Sequence, residues 1–132
     1  MRFTRRSLRV AAPPGRDRGA VDVSIQMLFG SLAVIMAMLL VFEVAAFWHA
    51  RNVFDDAAAE GARVAAAYDG TCRRGIAAAR ERVQQAAGSW GETVRITCVD
   101  GPVVTINIAG RTPGLIGGAL VARTSESAPK ER

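Results

Sequence analysis

The feature that most constrains this chain is a run of twenty residues without a formal charge, residues 23–42. At the helical rise of about 1.5 Å per residue, the run spans about 30 Å, the hydrocarbon thickness of a bilayer. Leu, Met, Val, Ile and Ala occupy all sides of it, so it lacks the polar face of a helix that covers a soluble core. The run therefore predicts a transmembrane helix, with residues 23–48 as the membrane segment and its outer end.

The distribution of charge predicts the orientation of this helix. Residues 1–22 contain six arginines against two aspartates, whereas residues 43–132 contain eleven basic and ten acidic groups. A basic block beside an apolar run follows the positive-inside rule, and no aromatic residue lies between Phe3 and the run to stack on a base. We therefore expect a basic cytoplasmic leader (1–22), an extracytoplasmic carboxyl-terminal part, a single-pass location in the plasma membrane and no nucleic-acid partner.

A cleaved secretion signal is the competing interpretation of the apolar run. The Val-Ala-Ala sequence at residues 44–46 has the small residues that a signal peptidase prefers. However, the run exceeds the 7–15 residues of an ordinary signal core, which favours a retained anchor.

Residues 49–124 are predicted to form an extracytoplasmic α+β domain that begins with helices. Beyond the membrane segment, apolar and small residues recur at three- and four-residue steps, as in a long amphipathic helix. That stripe consists of Phe54, Ala58, Gly61, Ala65 and Tyr68. Thr71 is a candidate cap for a second helix that ends near Ala87, and its predicted buried stripe is Ile76, Ala79, Val83 and Ala86.

Two segments after the helices alternate apolar and polar residues, which predicts a small antiparallel hairpin. Residues 93–99 and 104–108 show this alternation on either side of an Asp-Gly turn at residues 100–101. Residues 120–124 are a candidate third strand. The polar residues 125–132 are expected to form a disordered tail.

Cys72 and Cys98 are the two cysteines of the chain, and both lie on the predicted outer side of the membrane. A disulfide persists in that environment, and the strand alternation directs Cys98 inward toward the start of the second helix. A bridge would close a loop of 27 residues and stabilise the domain by about 3–4 kcal/mol on the chain-entropy estimate. A small domain whose core consists largely of alanine needs such a link.

Several local sequences resemble the TadE-like family, the minor pilins or pseudopilins of tight-adherence (Flp) pilus systems. The resemblance rests on Arg-Gly-Ala-Val at residues 18–21, the apolar run, Glu43, Ala-Arg-Asn at residues 50–52 and Asp-Ala-Ala-Ala-Glu-Gly-Ala-Arg at residues 56–63. It covers residues 18–68 well, and it implies a type IV pilin-like layout in which the membrane helix continues into the outer domain. Implied partners are the membrane, other pilin-like or pilus assembly subunits and a prepilin peptidase.

The resemblance also implies a processing site between Gly19 and Ala20, because the peptidase of this family cuts after a glycine. The mature helix of the family typically carries a glutamate at its fifth residue, where it contributes to subunit packing. Ser24 occupies that position here, and the nearest acid is Asp22. Both residues are therefore candidate helix-packing positions.

Further packing positions lie deeper in the run and at its outer end. Ala33 and Ala37 form a small-xxx-small pair of the kind that lets helices approach closely in lipid. Glu43 has two interpretations: a residue at headgroup depth beside the interfacial Trp48, or a polar contact between packed helices. The resemblance adds weight to the second, since the family often has an acid near this point.

An enzymatic function finds little support in the sequence. The one histidine, His49, lies at the membrane edge, the cysteines are not a CxxC pair, and no metal-spaced cluster occurs. The glycines at residues 114–118 do not follow a strand and open a helix as a phosphate loop does. The chain is thus interpreted as a non-enzyme without cofactor, metal or small-molecule substrate. Its expected function is that of a TadE-like minor pilin or pilus assembly factor, and the alternative is a bitopic interaction module of another envelope complex.

Overall fold

The structure is a computed structural model that describes residues 17–115 and 120–132. The elements of these residues are α1 (Asp17–Ala66), α2 (Cys72–Ala87), a 3₁₀ helix (Gly88–Gly91), β1 (Arg95–Val99), β2 (Val103–Arg111) and β3 (Val121–Pro129). The predicted α+β class is confirmed, and β3 enlarges the predicted hairpin to an antiparallel sheet of order β1-β2-β3. The chain divides into two compact units, Met1–Ala37 and Met38–Arg132. Residues 1–16 of the predicted leader (1–22) lie outside the described residues.

In the first unit, the described residues all belong to α1. Residues 22–42 are exposed on every side of this helix. Among the described residues, α1 contains the one stretch that is long and apolar enough to cross a membrane. Exposed apolar surface on this scale exceeds what soluble monomers tolerate, so lipid or other protein must cover it.

The second unit is built on the closely packed pair of helices α1 and α2. A Cβ atom at Gly75 would lie 2.6 Å from both the carbonyl oxygen of Gly61 and the Cβ of Ala65. A Cβ at Gly61 would lie 2.9 Å from that of Ala79. The two backbones are therefore in contact, and only glycine at residues 61 and 75 permits this approach.

Two residues differ from the predicted helix faces, Ala86 and Tyr68, each for its own reason. The buried stripe of α2 is Gly75, Ala79, Val83 and Ala87, whereas the predicted Ala86 is exposed. Because α2 approaches α1 through a residue without a side chain, its contact face follows a four-residue spacing from Gly75. Tyr68 is 80% exposed rather than buried, since α1 ends at Ala66 and Tyr68 lies in the following turn.

The sheet covers the helices with one face. Ile96 pairs with Ile108, and Cys98 pairs with Ile106, so the inward residues of β1 and β2 meet across the strands. They pack around the fully buried Phe54 of α1, whose ring centroid lies 5.9 Å from that of Trp90. The predicted hairpin turn is confirmed.

The carboxyl-terminal end is more ordered than its polarity suggests. The sequence predicts disorder from residue 125, but β3 continues to Pro129 and pairs with β2 along its whole length. Beyond the strand, the backbone N–H of Glu131 donates to the carbonyl of Ala66 at 2.8 Å. The prediction of a disordered tail is wrong for residues 125–129 because ladder hydrogen bonds to β2 form between backbones and do not require apolar side chains.

Candidate functional site

The predicted processing and packing positions near the amino terminus all lie within α1. Gly19, Ala20, Asp22 and Ser24 are helical. Apart from its chain neighbours and the nearby backbone of its own helix, no described atom lies within 4 Å of the place where a Cβ on Gly19 would stand. Gly19, Asp22 and Ser24 are exposed. Their roles in peptidase recognition and subunit packing stay predictions.

The small-residue pair and the acid at the outer end of the run have opposite environments. Ala33 and Ala37 are exposed along an uncovered helix, where a second helix in lipid could contact them. Glu43 is only 8% exposed, although it directly follows Phe42, which is 67% exposed. Something in the second unit therefore covers this carboxylate.

Part of the cover is Gly114, which lies in the loop that follows β2; the structure describes residues 112–115 and Leu120 of this loop. The carboxylate of Glu43 lies directly against Gly114, so closely that a methyl group on Gly114 would overlap it. Gly114 also has a φ of 151°, which other residues rarely adopt. Residue 114 must therefore be glycine for two reasons, its backbone conformation and the carboxylate beside it.

Backbone and side-chain hydrogen bonds close the base of this loop. The N–H of Thr112 donates to the carbonyl of Leu120 at 3.1 Å, and the Thr112 hydroxyl donates to the same oxygen at 3.4 Å. Thr112 is buried, whereas Leu115 is 74% exposed and Leu120 is 40% exposed. Leu115 and Leu120 thus present apolar side chains to their surroundings.

The position of the loop along α1 follows from two contacts. A Cβ at Gly110, near the end of β2, would lie 3.0 Å from the ring of Phe54, and Gly114 lies against Glu43. From Gly110 to Gly114, the contacted residue of α1 changes from Phe54 to Glu43, which is closer in sequence to the apolar run. Gly114 therefore lies beside Glu43, the residue that follows that run in the sequence.

The sequence itself contains a signal for this loop. Residues 112–120 read Thr-Pro-Gly-Leu-Ile-Gly-Gly-Ala-Leu, nine residues without a charge in a domain that is otherwise rich in charged residues. Water-exposed loops are usually polar. A loop without charged residues predicts a contact with something other than water. Only the contact between Gly114 and Glu43 indicates which part of the protein this loop meets.

The open face of the sheet carries a second candidate surface. Arg95 of β1, Ala109 of β2 and Arg123 of β3 are in register and form one row across the three strands. All three residues project on the face opposite the buried core, and Arg111 follows two residues after Ala109 on the same face. The result is a basic patch with a small residue at its centre.

The predicted disulfide is confirmed. Cys72, the first residue of α2, is bonded to Cys98 of β1, and their Cα atoms are 5.6 Å apart. Thr71 caps α2 as predicted, because its hydroxyl accepts from the N–H of Arg74 at 3.3 Å. The side chain of Arg74 donates to the Asp69 carboxylate at 2.7 Å, and this hydrogen bond holds the pKa of Asp69 below its ordinary value of 3.8.

Within residues 17–115 and 120–132, no three His, Cys, Asp or Glu side chains come together in a way that could hold a metal ion. The candidate sites among the described residues are the apolar part of α1, Gly114 beside Glu43 and the basic face of the sheet.

Comparison with known proteins adds no identification to this geometry. No protein-family model, no curated protein and no solved structure matches the chain. The function must therefore be inferred from the residues and contacts of the chain itself.

Proposed function

We propose that the chain is a single-pass membrane protein with a cytoplasmic amino terminus, and that it acts as a non-enzymatic TadE-like minor pilin or pilus assembly factor. This proposal rests on one observation: α1 belongs both to the apolar run and to the folded unit. One uninterrupted helix contains an exposed, uncharged run long enough to span a bilayer and then supplies the buried Phe54 to the folded unit. This is the layout that a pilin-like subunit requires.

The charge distribution and the disulfide support the orientation. The six arginines of residues 1–22 precede the apolar run, and residues that flank a membrane helix on the cytoplasmic side are typically rich in arginine and lysine. The Cys72–Cys98 bridge lies on the other side of the run, where an oxidising environment preserves it. Both features favour an extracytoplasmic folded unit.

The work of such a subunit is mechanical. Its apolar helix packs against other helices in the membrane, and the small residues Ala33 and Ala37 allow a close approach. Its folded unit then caps or presents the assembly on the outer side. Neither role requires a cofactor or a substrate.

The burial of Glu43 favours a second candidate, a bitopic module that anchors a folded unit within another envelope complex. In a subunit that uses this acid to contact a neighbouring helix, the carboxylate should be accessible. Here Glu43 is buried, and Gly114 of the same chain lies directly against its carboxylate. A membrane anchor that stays intact is compatible with this arrangement.

The intact mass and amino-terminal sequence of the protein from its native membrane distinguish the two candidates. The pilin interpretation predicts a mature chain that starts at Ala20, and Gly19→Val should abolish this cleavage because the peptidase requires a minimal side chain before the cut. Gly30→Val is the matched control, since Gly19 and Gly30 both lie in α1 with open space around them. A chain that retains its leader in the wild type would exclude the processed pilin and favour the bitopic module.

A further inference from the structure

We propose that the open face of the sheet binds a segment of another protein that carries carboxylates beside apolar side chains. The binding surface is centred on Arg95, Ala109, Arg111 and Arg123, which we call the basic patch. This inference goes beyond the proposed function, because a pilin-type subunit and a bitopic module would both present this face. It concerns the folded unit alone.

The first argument is the segregation of charge on this face. Alternate residues of β1, β2 and β3 point outward, and they include three arginines but no aspartate or glutamate. Glu126, the one acid of the three strands, pairs with the buried Ile106 and therefore lies on the other face. Like charges on one face of a sheet repel one another, so carboxylates from a partner would remove a cost that the free protein bears.

The second argument is that the folded unit does not use these guanidinium groups. Arg63 and Arg74 each form an ion pair with an acid close by in sequence. By contrast, Arg95, Arg111 and Arg123 are exposed, and none of them forms an ion pair or a side-chain hydrogen bond with any residue in the ranges 17–115 and 120–132. A guanidinium group donates two parallel hydrogen bonds to a carboxylate, so each of the three is available to bind one.

The third argument is the shape of the patch. Ala109 lies between Arg95 and Arg123, whose Cα atoms are two strand spacings apart, or about 10 Å. Because the central side chain is only a methyl group, it forms the floor of a shallow depression with the arginines as walls. The depression extends to Val121, which is 49% exposed. The patch therefore offers apolar contact between its charges.

The size of the face indicates how large the partner's contact is. The longest paired strands have nine residues, so three strands give a face of roughly 14 by 30 Å. That is about 400 Å², half of what each partner contributes to a standard interface between two proteins. One helix, about 10–12 Å wide, or one extended segment fits such a face.

The apolar floor favours a protein segment over a phosphate polymer or a nucleic acid. Arginine pairs with phosphate as readily as with carboxylate, so charge alone does not distinguish these ligands. A phosphate polymer, however, has no apolar group to place on Ala109 and Val121. Single-stranded nucleic acids stack on aromatic side chains, and β1, β2 and β3 contain none. A peptide with Asp or Glu next to Leu, Ile or Val satisfies both the walls and the floor.

The test is a selection of random peptides displayed on phage against the purified full chain in micelles of a neutral detergent. The selected peptides are synthesised, and their Kd is measured for wild type and two double variants. Arg95→Gln with Arg123→Gln removes the charges on both sides of Ala109. Arg80→Gln with Arg82→Gln is the matched control, because both arginines are exposed on α2 and the net charge changes equally. Thermal melts verify that each variant is folded.

The expected result is a set of peptides enriched in Asp and Glu beside Leu, Ile or Val. These peptides should bind Arg95→Gln with Arg123→Gln about tenfold more weakly, or worse, and bind the control variant as they bind wild type. A selection without binders, binders without an excess of acids, or an equal loss in both double variants would overturn the proposal.

Inorganic polyphosphate is the competing probe. If it binds wild type through Arg95 and Arg123 while no acidic peptide is selected, the face belongs to a polyanion and the protein partner is excluded. The intact mass that tests the proposed function is a separate measurement, so either proposal can fail without the other.

Discussion

Removing the disulfide should destabilise the folded unit by an amount that the structure allows us to calculate. The separation of Cys72 and Cys98 is 26, so the bridge closes a loop of 27 residues when both cysteines are counted. Loss of this constraint on the unfolded chain costs about 3.5 kcal/mol on the chain-entropy estimate. For a domain of this size the change corresponds to a fall in Tm of roughly 15–25 °C.

The small core makes this loss severe. The core is dominated by alanine, and the largest fully buried side chains are Phe54, Ile106, Ile108, Val83 and Val104. A core with few large side chains leaves little stability in reserve. The bridge also connects α2 to β1, an edge strand with a sheet partner on one side only. Without it, the amides of β1 should lose their protection from hydrogen exchange before those of the central strand β2.

The assay is the thermal melt of the full chain in detergent micelles, followed by near-ultraviolet circular dichroism. The variant is the double substitution Cys72→Ala and Cys98→Ala, which leaves no unpaired thiol. Wild-type protein with a reducing agent is the control and should melt together with the variant. A double variant that melts within about 5 °C of the oxidised wild type would refute the reasoning, because the bridge would then constrain the unfolded chain far less than its loop length implies.

Two further perturbations test other parts of the fold. Gly75→Ala should destabilise the folded unit by about 1–3 kcal/mol in chemical denaturation, despite the better helix propensity of alanine, because its methyl group would overlap the backbone of Gly61. Gly30→Ala, in open surroundings, should cause no loss, and equal behaviour of the two variants would contradict the helix contact. The hydrogen bond from Lys130 lowers the pKa of Asp100 below 3.8, so its contribution is present above that pH and is lost as the pH falls through the folded-state pKa. The difference in Tm between wild type and Lys130→Met should therefore be larger at neutral pH than in acid, and a difference independent of pH would exclude this interaction.

Some of the fold could be predicted because its causes are local. Thr71 precedes a helical stripe with a hydroxyl suited to capping, and Asp100 with Gly101 is a turn that a hairpin prefers. The alternation that directs Ile96 inward also directs Cys98 inward, and this made the disulfide predictable. In each case the evidence lies within a few residues of the element that it predicts.

The covered state of Glu43 could not be predicted in the same way. The residue that covers it, Gly114, is distant in sequence, and no periodicity connects the two. The same holds for the contact between Gly61 and Gly75, where absence of a side chain rather than its presence determines the packing. Polarity even misled the prediction for Ser125 and the residues after it, because a strand is held by backbone hydrogen bonds whatever its side chains.

The sequence by itself determined the apolar run of α1, the charge that flanks it, the α+β class and the identity of the disulfide. These features follow from composition and from periods of two or about four residues, which act along the chain. Only the tertiary structure decided that Gly114, after β2, lies against Glu43, that Glu43 is buried, and that Leu115 is exposed. The reason is that these contacts join residues about seventy positions apart, and their geometry depends on how α1 and the sheet pack around Phe54.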